Sequence, residues 1–253
     1  MTISKTMKRT SNRRRHAHNN GSPTISPIKS LPNHLLVVEV VARVASHSFT
    51  DLFNLKKCCK EFLDAAGDSY INQHVSLDKF PLIQWFPNEK ESFFLNQCKE
   101  SKNIEALYRE GLREYFNYPN GNIGGLDIMK VAAQNGHMEA KYVYGMITLC
   151  SKDIELRKQG LDYLRFVRVS KCVIRCRKRV KNLTKTLWKN DMILLRNEKT
   201  LCNNKNTCKG WRVKKGQWTL VDDEDDDYDD INMCEYCRWD HELEFFYRLF
   251  NVH

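Results

Sequence analysis

Long hydrophobic runs are missing from this sequence. The longest apolar stretch, Tyr142–Cys150, has nine residues, whereas a membrane-spanning helix needs about 20. The amino-terminal residues also lack the apolar segment of a secretory signal. We therefore expect a protein that neither crosses a membrane nor passes through an oxidising compartment. Its ten cysteines are then expected to be reduced thiols or metal ligands rather than disulfides.

Recognisable catalytic motifs are missing as well. The sequence contains no P-loop, no Gly-x-Ser-x-Gly and no His-Glu-x-x-His. His137 stands at the start of a predicted helix, where capping or packing is expected rather than catalysis. A thiol nucleophile with a distant histidine stays open, because such partners need not be adjacent in sequence. We expect a non-enzymatic protein and assign no catalytic residue.

Acidic residues are absent from two long stretches of a chain whose net charge is +10. Residues 1–30 contain seven Lys/Arg and no acid, and residues 163–190 contain ten Lys/Arg and no acid. Conversely, eight of the nine residues in Asp222–Asp230 are acidic. Attraction between the basic run at 163–190 and this acidic segment is at least as plausible as a nucleic-acid groove.

The first 29 residues have no hydrophobic period and are rich in Ser, Asn, Arg and Pro. We expect a disordered leader. Its basic clusters, Lys8-Arg9 and Arg13–Arg15, are typical of a nuclear address, and the alternatives are a solvated tail or an organelle transit peptide. The favoured localisation is nuclear, cytoplasmic or both.

From Leu31 onwards the sequence follows a specific pattern. It consists of Leu31-Pro32, Leu35-Leu36, Glu39-Val40, Arg43-Val44, Ser48, Asp51-Leu52, Leu55-Lys56, Cys58-Cys59-Lys60 and Phe62. This pattern resembles the F-box, a helical module of about forty residues. The departures, Val40 for Ile, Val44 for Leu, Lys56 for Arg, Cys58 for Val and Phe62 for Trp, keep size class or charge. A generic amphipathic hairpin predicts the Leu/Val spacing but not Leu-Pro followed by Ser-x-x-Asp-Leu and Cys-Lys.

The resemblance implies a substrate receptor of an SCF-type ubiquitin ligase. The F-box engages a Skp-type adaptor, which connects it indirectly to the cullin and RING subunits. The adaptor-binding residues expected from the motif are Leu31, Pro32, Leu35, Leu36, Glu39, Val40, Ser48, Asp51, Leu52, Cys59 and Lys60. An unidentified protein target is expected on the concave surface of the following repeats, with a possible contribution from the carboxy-terminal region.

Two motifs repeat between residues 91 and 169. Ala106-x-Tyr108-x-x-Gly111 recurs as Ala140-x-Tyr142-x-x-Gly145, and Gly125–Met129 recurs as Gly160–Leu164, at periods of 34 and 35 residues. Such a period predicts a solenoid of helix pairs in which small residues allow close helix crossings. Ala132–Gly145 resembles the Sel-type helical repeat, a relative of the tetratricopeptide repeat.

Four cysteines near the carboxy terminus are spaced differently from the others. Cys202 and Cys208 precede a predicted β-hairpin at 211–221, and Cys234 and Cys237 follow it. Four thiolates in this arrangement can bind structural zinc, although the Cys-x5-Cys spacing is unusual. The alternative is buried, reduced thiols. The helical cysteines, Cys58, Cys59, Cys98, Cys150, Cys172 and Cys176, are expected in the core.

The predicted fold is mostly α. We expect a disordered leader at 1–29, a three-helix F-box at 30–75, a linker at 76–90, Sel-type repeats at 91–170, a basic helical segment at 171–201 and a Cys/Trp/acidic region at 202–253. The competing function is a nucleic-acid-binding module that uses residues 163–190 and a zinc ribbon. Nucleic acid is the less favoured partner, because the basic run supplies few aromatic rings, those of Tyr163, Phe166 and Trp188. An F-box protein acting outside any ligase is a third reading.

Overall fold

The computed structural model describes residues 32, 35–83, 86–116, 121–186, 194, 196, 200–203 and 233–250. Within them the chain is mostly helical, as predicted, and contains eleven α-helices after a π-helical segment at Leu36–Val41. The helices are α1 Ala42–His47, α2 Phe49–Leu55, α3 Lys60–Ala65, α4 Ser69–His74, α5 Glu89–Glu100, α6 Ile104–Phe116, α7 Gly124–Gln134, α8 Met138–Leu149, α9 Ile154–Val169, α10 Val173–Thr184 and α11 Glu235–Leu249.

The first four helices form a small unit with its own core. Ser48 accepts a hydrogen bond from the Asp51 backbone N–H and so caps α2, as expected from the sequence. Cys59 has an extended backbone and separates α2 from α3, so the unit has four short helices rather than three. The core contains Val41, Ala45, Leu52, Ile71, Val75 and Leu77 together with Cys98 of α5.

Helices α6 to α9 form the two predicted antiparallel pairs, α6 with α7 and α8 with α9. A Cβ atom placed on Gly111 would lie 2.9 Å from the carbonyl oxygen of Gly125, and one placed on Gly145 would lie 3.1 Å from that of Gly160. Both distances are shorter than ordinary van der Waals contact. The two crossings therefore need glycine, and the sequence repeat reflects equivalent contacts.

The repeats share one hydrophobic core with the carboxy-terminal helix. This core includes Leu112, Tyr142 and Leu164 from the pairs, Val180 from α10, and Trp239 and Phe246 from α11. Among the described helices, none combines the length and apolar character needed for a bilayer crossing. The predicted leader, the hairpin at 211–221 and the acidic run at 222–230 lie outside the described residues.

Candidate functional site

The sequence-predicted adaptor-binding residues occupy different environments in the amino-terminal unit. Pro32, Glu39, Asp51, Cys59 and Lys60 are exposed, and Leu35, Val40 and Ser48 are half-buried. Leu52 is only 1% exposed and belongs to the core, so its side chain packs beneath the predicted adaptor-binding surface. Leu36 lies in the π-helical segment. Its side chain and the whole of Leu31 lie outside the described atoms.

Several large hydrophobic side chains of the same unit are exposed. Phe53 of α2 is 46% exposed and Leu63 of α3 is 53% exposed. The Lys56 ammonium lies 5.4 Å from the centre of the Phe53 ring, so the ring keeps a cation over one face. Exposed apolar groups of this size in a small helical unit are consistent with a surface that a partner covers.

Buried hydrogen bonds connect this unit to the repeats. The Asn103 side-chain amide donates to the carbonyl oxygens of Asn72 and Val75, at 3.0 Å each, and Asn103 is only 3% exposed. The Arg109 guanidinium donates to the carbonyl oxygens of Phe80 and Pro81. These bonds fix the chain segment between α4 and α5 against the first repeat helix.

The carboxy-terminal helix α11 covers one layer of the repeats. Its side chains contact the alternate helices α6, α8 and α10. Phe250 stacks on Phe116 with ring centres 4.6 Å apart, and the Tyr247 hydroxyl lies 3.3 Å from the Cys150 Sγ. The chain's own helix therefore occupies this layer, and the binding of a target by the rest of the repeat surface stays a prediction.

A buried ion pair lies at the centre of this contact. Glu242 of α11 is fully buried and accepts three N–H···O contacts from Arg177 of α10, at 2.7 to 3.1 Å. The Tyr142 hydroxyl of α8 donates to the same carboxylate at 2.5 Å. Burial, followed by the nearby Glu242 charge, raises the pKa of Tyr142 well above its usual value. Its hydroxyl therefore stays a donor.

Arginines of the basic run bind carboxylates from neighbouring helices. Arg175 and Arg179 both lie near Glu139 of α8, at 3.2 and 3.4 Å, and Arg165 binds Glu235 with two hydrogen bonds of 2.5 and 2.9 Å. Their charge is thus partly neutralised within the fold. These ion pairs favour the interpretation that the basic run is a solvated helix surface paired with acids of the same chain, rather than a groove that binds phosphate.

Three of the four predicted metal ligands lie together. The sulfur atoms of Cys202, Cys234 and Cys237 are within 4.8 Å of one another, and those of Cys202 and Cys234 are 3.7 Å apart. A tetrahedral zinc ion with Zn–S bonds of about 2.3 Å requires an S···S separation of about 3.8 Å. The donor set and its spacing therefore fit zinc. Cys208 lies outside the described residues.

The surrounding contacts hold these cysteines in position. The Asp240 carboxylate accepts hydrogen bonds from the backbone N–H groups of Leu201 and Cys202, at 2.7 and 3.1 Å. The Cys234 sulfur accepts the Cys237 N–H at 3.3 Å and caps α11. A segment near residue 202 is thereby attached to the amino end of α11 without any metal contact.

Comparison with known proteins identifies the family. A family model described as plant tetratrico peptide repeats matches residues 77–185. The Arabidopsis thaliana protein named "Putative F-box protein At1g67623" is 28% identical over 221 residues, covering 82% of this chain and 72% of that protein. "F-box protein At2g35280", from the same organism, is 30% identical over 147 residues, covering 57% of this chain and 86% of that protein. This chain belongs to the F-box proteins. No solved structure matches it.

The remaining cysteines of this F-box protein do not behave alike. Burial raises the pKa of Cys98 to about 12 and that of Cys150 to about 11, so both stay protonated thiols near neutral pH. Cys58 and Cys59 are exposed, and the expectation that they are core residues is wrong. They lie in the turn between α2 and α3, where none of the described helices packs over them.

Sequence reasoning missed the acidic partners in this F-box protein. The repeat motif did indicate His137, whose Nδ1 accepts the Ala140 N–H and caps α8. Its Nε2 lies 2.6 Å from a carboxylate oxygen of Glu105, which also binds Arg109 at 2.7 Å. Glu105, Glu242 and Asp240 are acids within ordinary helical patterns, and their distant partners His137, Arg177, Tyr142 and Cys202 lie 32 to 100 residues away. Only the Glu105–Arg109 pair, four residues apart, has a local signal in the sequence.

Proposed function

We propose that this F-box protein is the substrate-recognition subunit of an SCF-type E3 ubiquitin ligase. In this role it links a protein target to a Skp-type adaptor and, through the adaptor, to the cullin and RING subunits. The observation that carries the proposal is the F-box pattern at Leu31–Phe62 in a folded unit where most of the described docking residues are exposed or half-buried. The chain contributes binding surfaces rather than chemistry, in the nucleus or the cytoplasm.

The adaptor interface provides the direct test. Replacing Leu31→Ala and Pro32→Ala together should weaken binding of a Skp-type adaptor at least about tenfold, because truncating a buried interface anchor typically costs more than about 1 kcal/mol. The measurement is calorimetric titration of the full chain with purified adaptor. Circular dichroism should show that the helical content is retained.

A matched control removes apolar surface elsewhere. Ile154 and Val169 of α9 are 72% and 83% exposed, so the double variant Ile154→Ala, Val169→Ala should bind the adaptor like the wild type. Unchanged affinity in the Leu31, Pro32 variant would reject the ligase-receptor proposal.

We further propose that Cys202, Cys208, Cys234 and Cys237 hold one structural zinc ion. The support is the sulfur spacing of the three described thiols and the burial of Cys202 and Cys237. Zinc at this position would join the segment around residue 202 to the first turn of α11. Metal binding would then offset the entropy of closing the chain between them.

Elemental analysis of the purified protein tests this site. We expect about one zinc per chain, a large loss of zinc in Cys234→Ser, and no loss in Cys58→Ser, which is an exposed cysteine far along the chain. Chelation should make residues 200–245 sensitive to protease while the amino-terminal unit stays resistant. Less than about a tenth of an equivalent of zinc, with unchanged proteolysis after chelation, would show that these cysteines are ordinary thiols.

A further inference from the structure

A cleft lies where the segment after α4 meets α5 and α6. Its volume is about 280 Å³, slightly below the roughly 300 Å³ at which pockets for small molecules begin. Its lining combines apolar side chains, called the apolar side below, with charged ones, called the charged side.

The charged side has more cations than anions. The lining has three cations, Lys99, Arg109 and Arg113, and one acid, Glu110. Arg109 is already bound by Glu105, outside the lining, at 2.7 Å. The Lys99 ammonium and the Arg113 guanidinium both bind the Glu110 carboxylate, at 2.7 and 2.5 Å. The two cations thus share one close carboxylate, with Glu114 farther from Arg113 at 3.7 Å, and both are open to solvent at 44% and 40% side-chain exposure. A second carboxylate from outside would be electrostatically favoured here.

The apolar side can receive a hydrocarbon side chain. Leu77, Ile83 and Ala106 form a buried wall, and Leu82 and Leu95 are half-buried beside it. The described lining residues include no aromatic ring, so a nucleobase would find no stacking partner among them. A peptide that combines an apolar side chain with carboxylates matches both sides of the cleft.

We propose that this cleft binds a segment of the target protein in which one apolar side chain is flanked by acidic residues. The inference rests on the proposed receptor function and specifies the class of target. The proposal also agrees with the fold. Helix α11 already covers the layer formed by α6, α8 and α10, so a target must bind another surface. A target held here would also lie next to the unit that docks the adaptor, because Arg109 binds the segment that leaves α4.

Peptide arrays on the full-length protein test the proposal. The probes are twelve-residue peptides with a central Leu, Ile or Phe flanked on each side by two Asp or Glu, and matched sets with Asn/Gln or Lys at the flanks. A fourth set keeps the acids and replaces the apolar residue with Ser. We expect binding of the acidic-apolar set at least about tenfold above the three others, with affinity falling as salt rises.

Variants of the charged side separate this site from general charge attraction. Lys99→Gln with Arg113→Gln should weaken the acidic-apolar peptides about tenfold. The control Lys158→Gln with Lys181→Gln makes the same change in net charge at exposed positions of α9 and α10 and should have no effect. Glu110→Gln removes the internal competitor for both cations, so it should strengthen binding severalfold.

The outcomes distinguish the cleft from the receptor function. Equal binding of the acidic-apolar and acidic-Ser sets, or an equal loss in the control pair, would overturn the cleft proposal, as would weaker binding in Glu110→Gln. Adaptor affinity is measured on the same preparations and should be unchanged in every variant. Retained adaptor binding without peptide selectivity would reject the cleft and leave the receptor function standing.

Discussion

The cluster around Glu105 shows how a single residue depends on neighbours that are distant in sequence. Because the His137 Nδ1 accepts the Ala140 N–H, its proton must lie on Nε2, which therefore donates to Glu105. Burial favours a higher pKa for Glu105, but the hydrogen bond from His137 and the charge of Arg109 outweigh it and lower the pKa to about 2. The helix start at His137 could be predicted from the repeat motif, whereas the carboxylate that orients its ring could not.

We predict a pH-dependent loss of stability in Glu105→Gln. A carboxylate whose pKa is lowered on folding stabilises the protein above its unfolded pKa, near 4.5, and loses this contribution as the pH falls towards about 2. At about pH 7 the variant should lose about 1–2 kcal/mol in free energy of unfolding. The difference from wild type should shrink below about pH 4, as measured by urea unfolding across this range.

The control for this prediction is Glu100→Gln, at an exposed position at the end of α5. It should change the free energy of unfolding little at any of these pH values. A Glu105→Gln penalty that is the same at about pH 7 and about pH 3 would contradict the lowered pKa.

At the scale of elements, the helix pairs follow closely from the sequence. The motif pairs separated by 34 and 35 residues recur because Gly111 and Gly145 occupy equivalent crossings, and because Gly125 and Gly160 face them. Because the two backbones approach so closely, only glycine fits at these positions, and glycine therefore recurs at the same spacing in the sequence. The positions of α1 to α4 were less predictable, because the break at Cys59 depends on an extended backbone with no local sequence signal.

Substitution at one crossing should destabilise its helix pair. Gly145→Leu introduces atoms where even a Cβ would lie 2.8 Å from the Leu164 Cγ, so we expect a loss of about 1–3 kcal/mol or more. Thermal unfolding followed by circular dichroism measures the effect. Gly67→Ala is the control, since its Cβ would meet only the Asp64 carbonyl oxygen at an ordinary 3.4 Å. A wild-type melting temperature in Gly145→Leu would show that the crossing tolerates a side chain.

At the scale of the whole molecule, the position of α11 was the main feature that sequence could not provide. Its pattern predicts an amphipathic helix, but an apolar face alone does not indicate which surface it will cover. The decisive partners, Glu242 with Arg177 and Tyr142, are 65 and 100 residues apart. Helix α11 therefore completes the repeat core, although composition and cysteine spacing predicted a separate carboxy-terminal region.

The buried ion pair between Arg177 and Glu242 should contribute strongly to the stability of the contact between α11 and the repeats. Arg177→Met leaves the fully buried Glu242 carboxylate without its guanidinium partner, which should cost about 3–5 kcal/mol of unfolding free energy. Adding Glu242→Gln should recover part of that loss, because no buried charge then remains. Guanidinium chloride unfolding of the wild type, both single variants and the double variant gives the coupling energy.

The comparison is Arg165→Met, which breaks an ion pair between the repeats and the same helix α11 at a partly exposed position. An exposed pair of this kind is worth about 0–1 kcal/mol. Equal penalties for Arg177→Met and Arg165→Met would mean that the buried contact has no special role in holding α11.

The covering of the repeats by α11 also has a consequence for protein synthesis. Because translation proceeds from the amino terminus, the unit formed by α1 to α4 emerges from the ribosome before the helix that completes the repeat core. Until α11 has been made, Phe116, Tyr142 and Val180 remain without the apolar neighbours they have in the finished fold. A nascent or prematurely terminated chain would thus carry a folded F-box next to repeats with exposed apolar side chains. Chaperones bind exposed apolar surface of this kind.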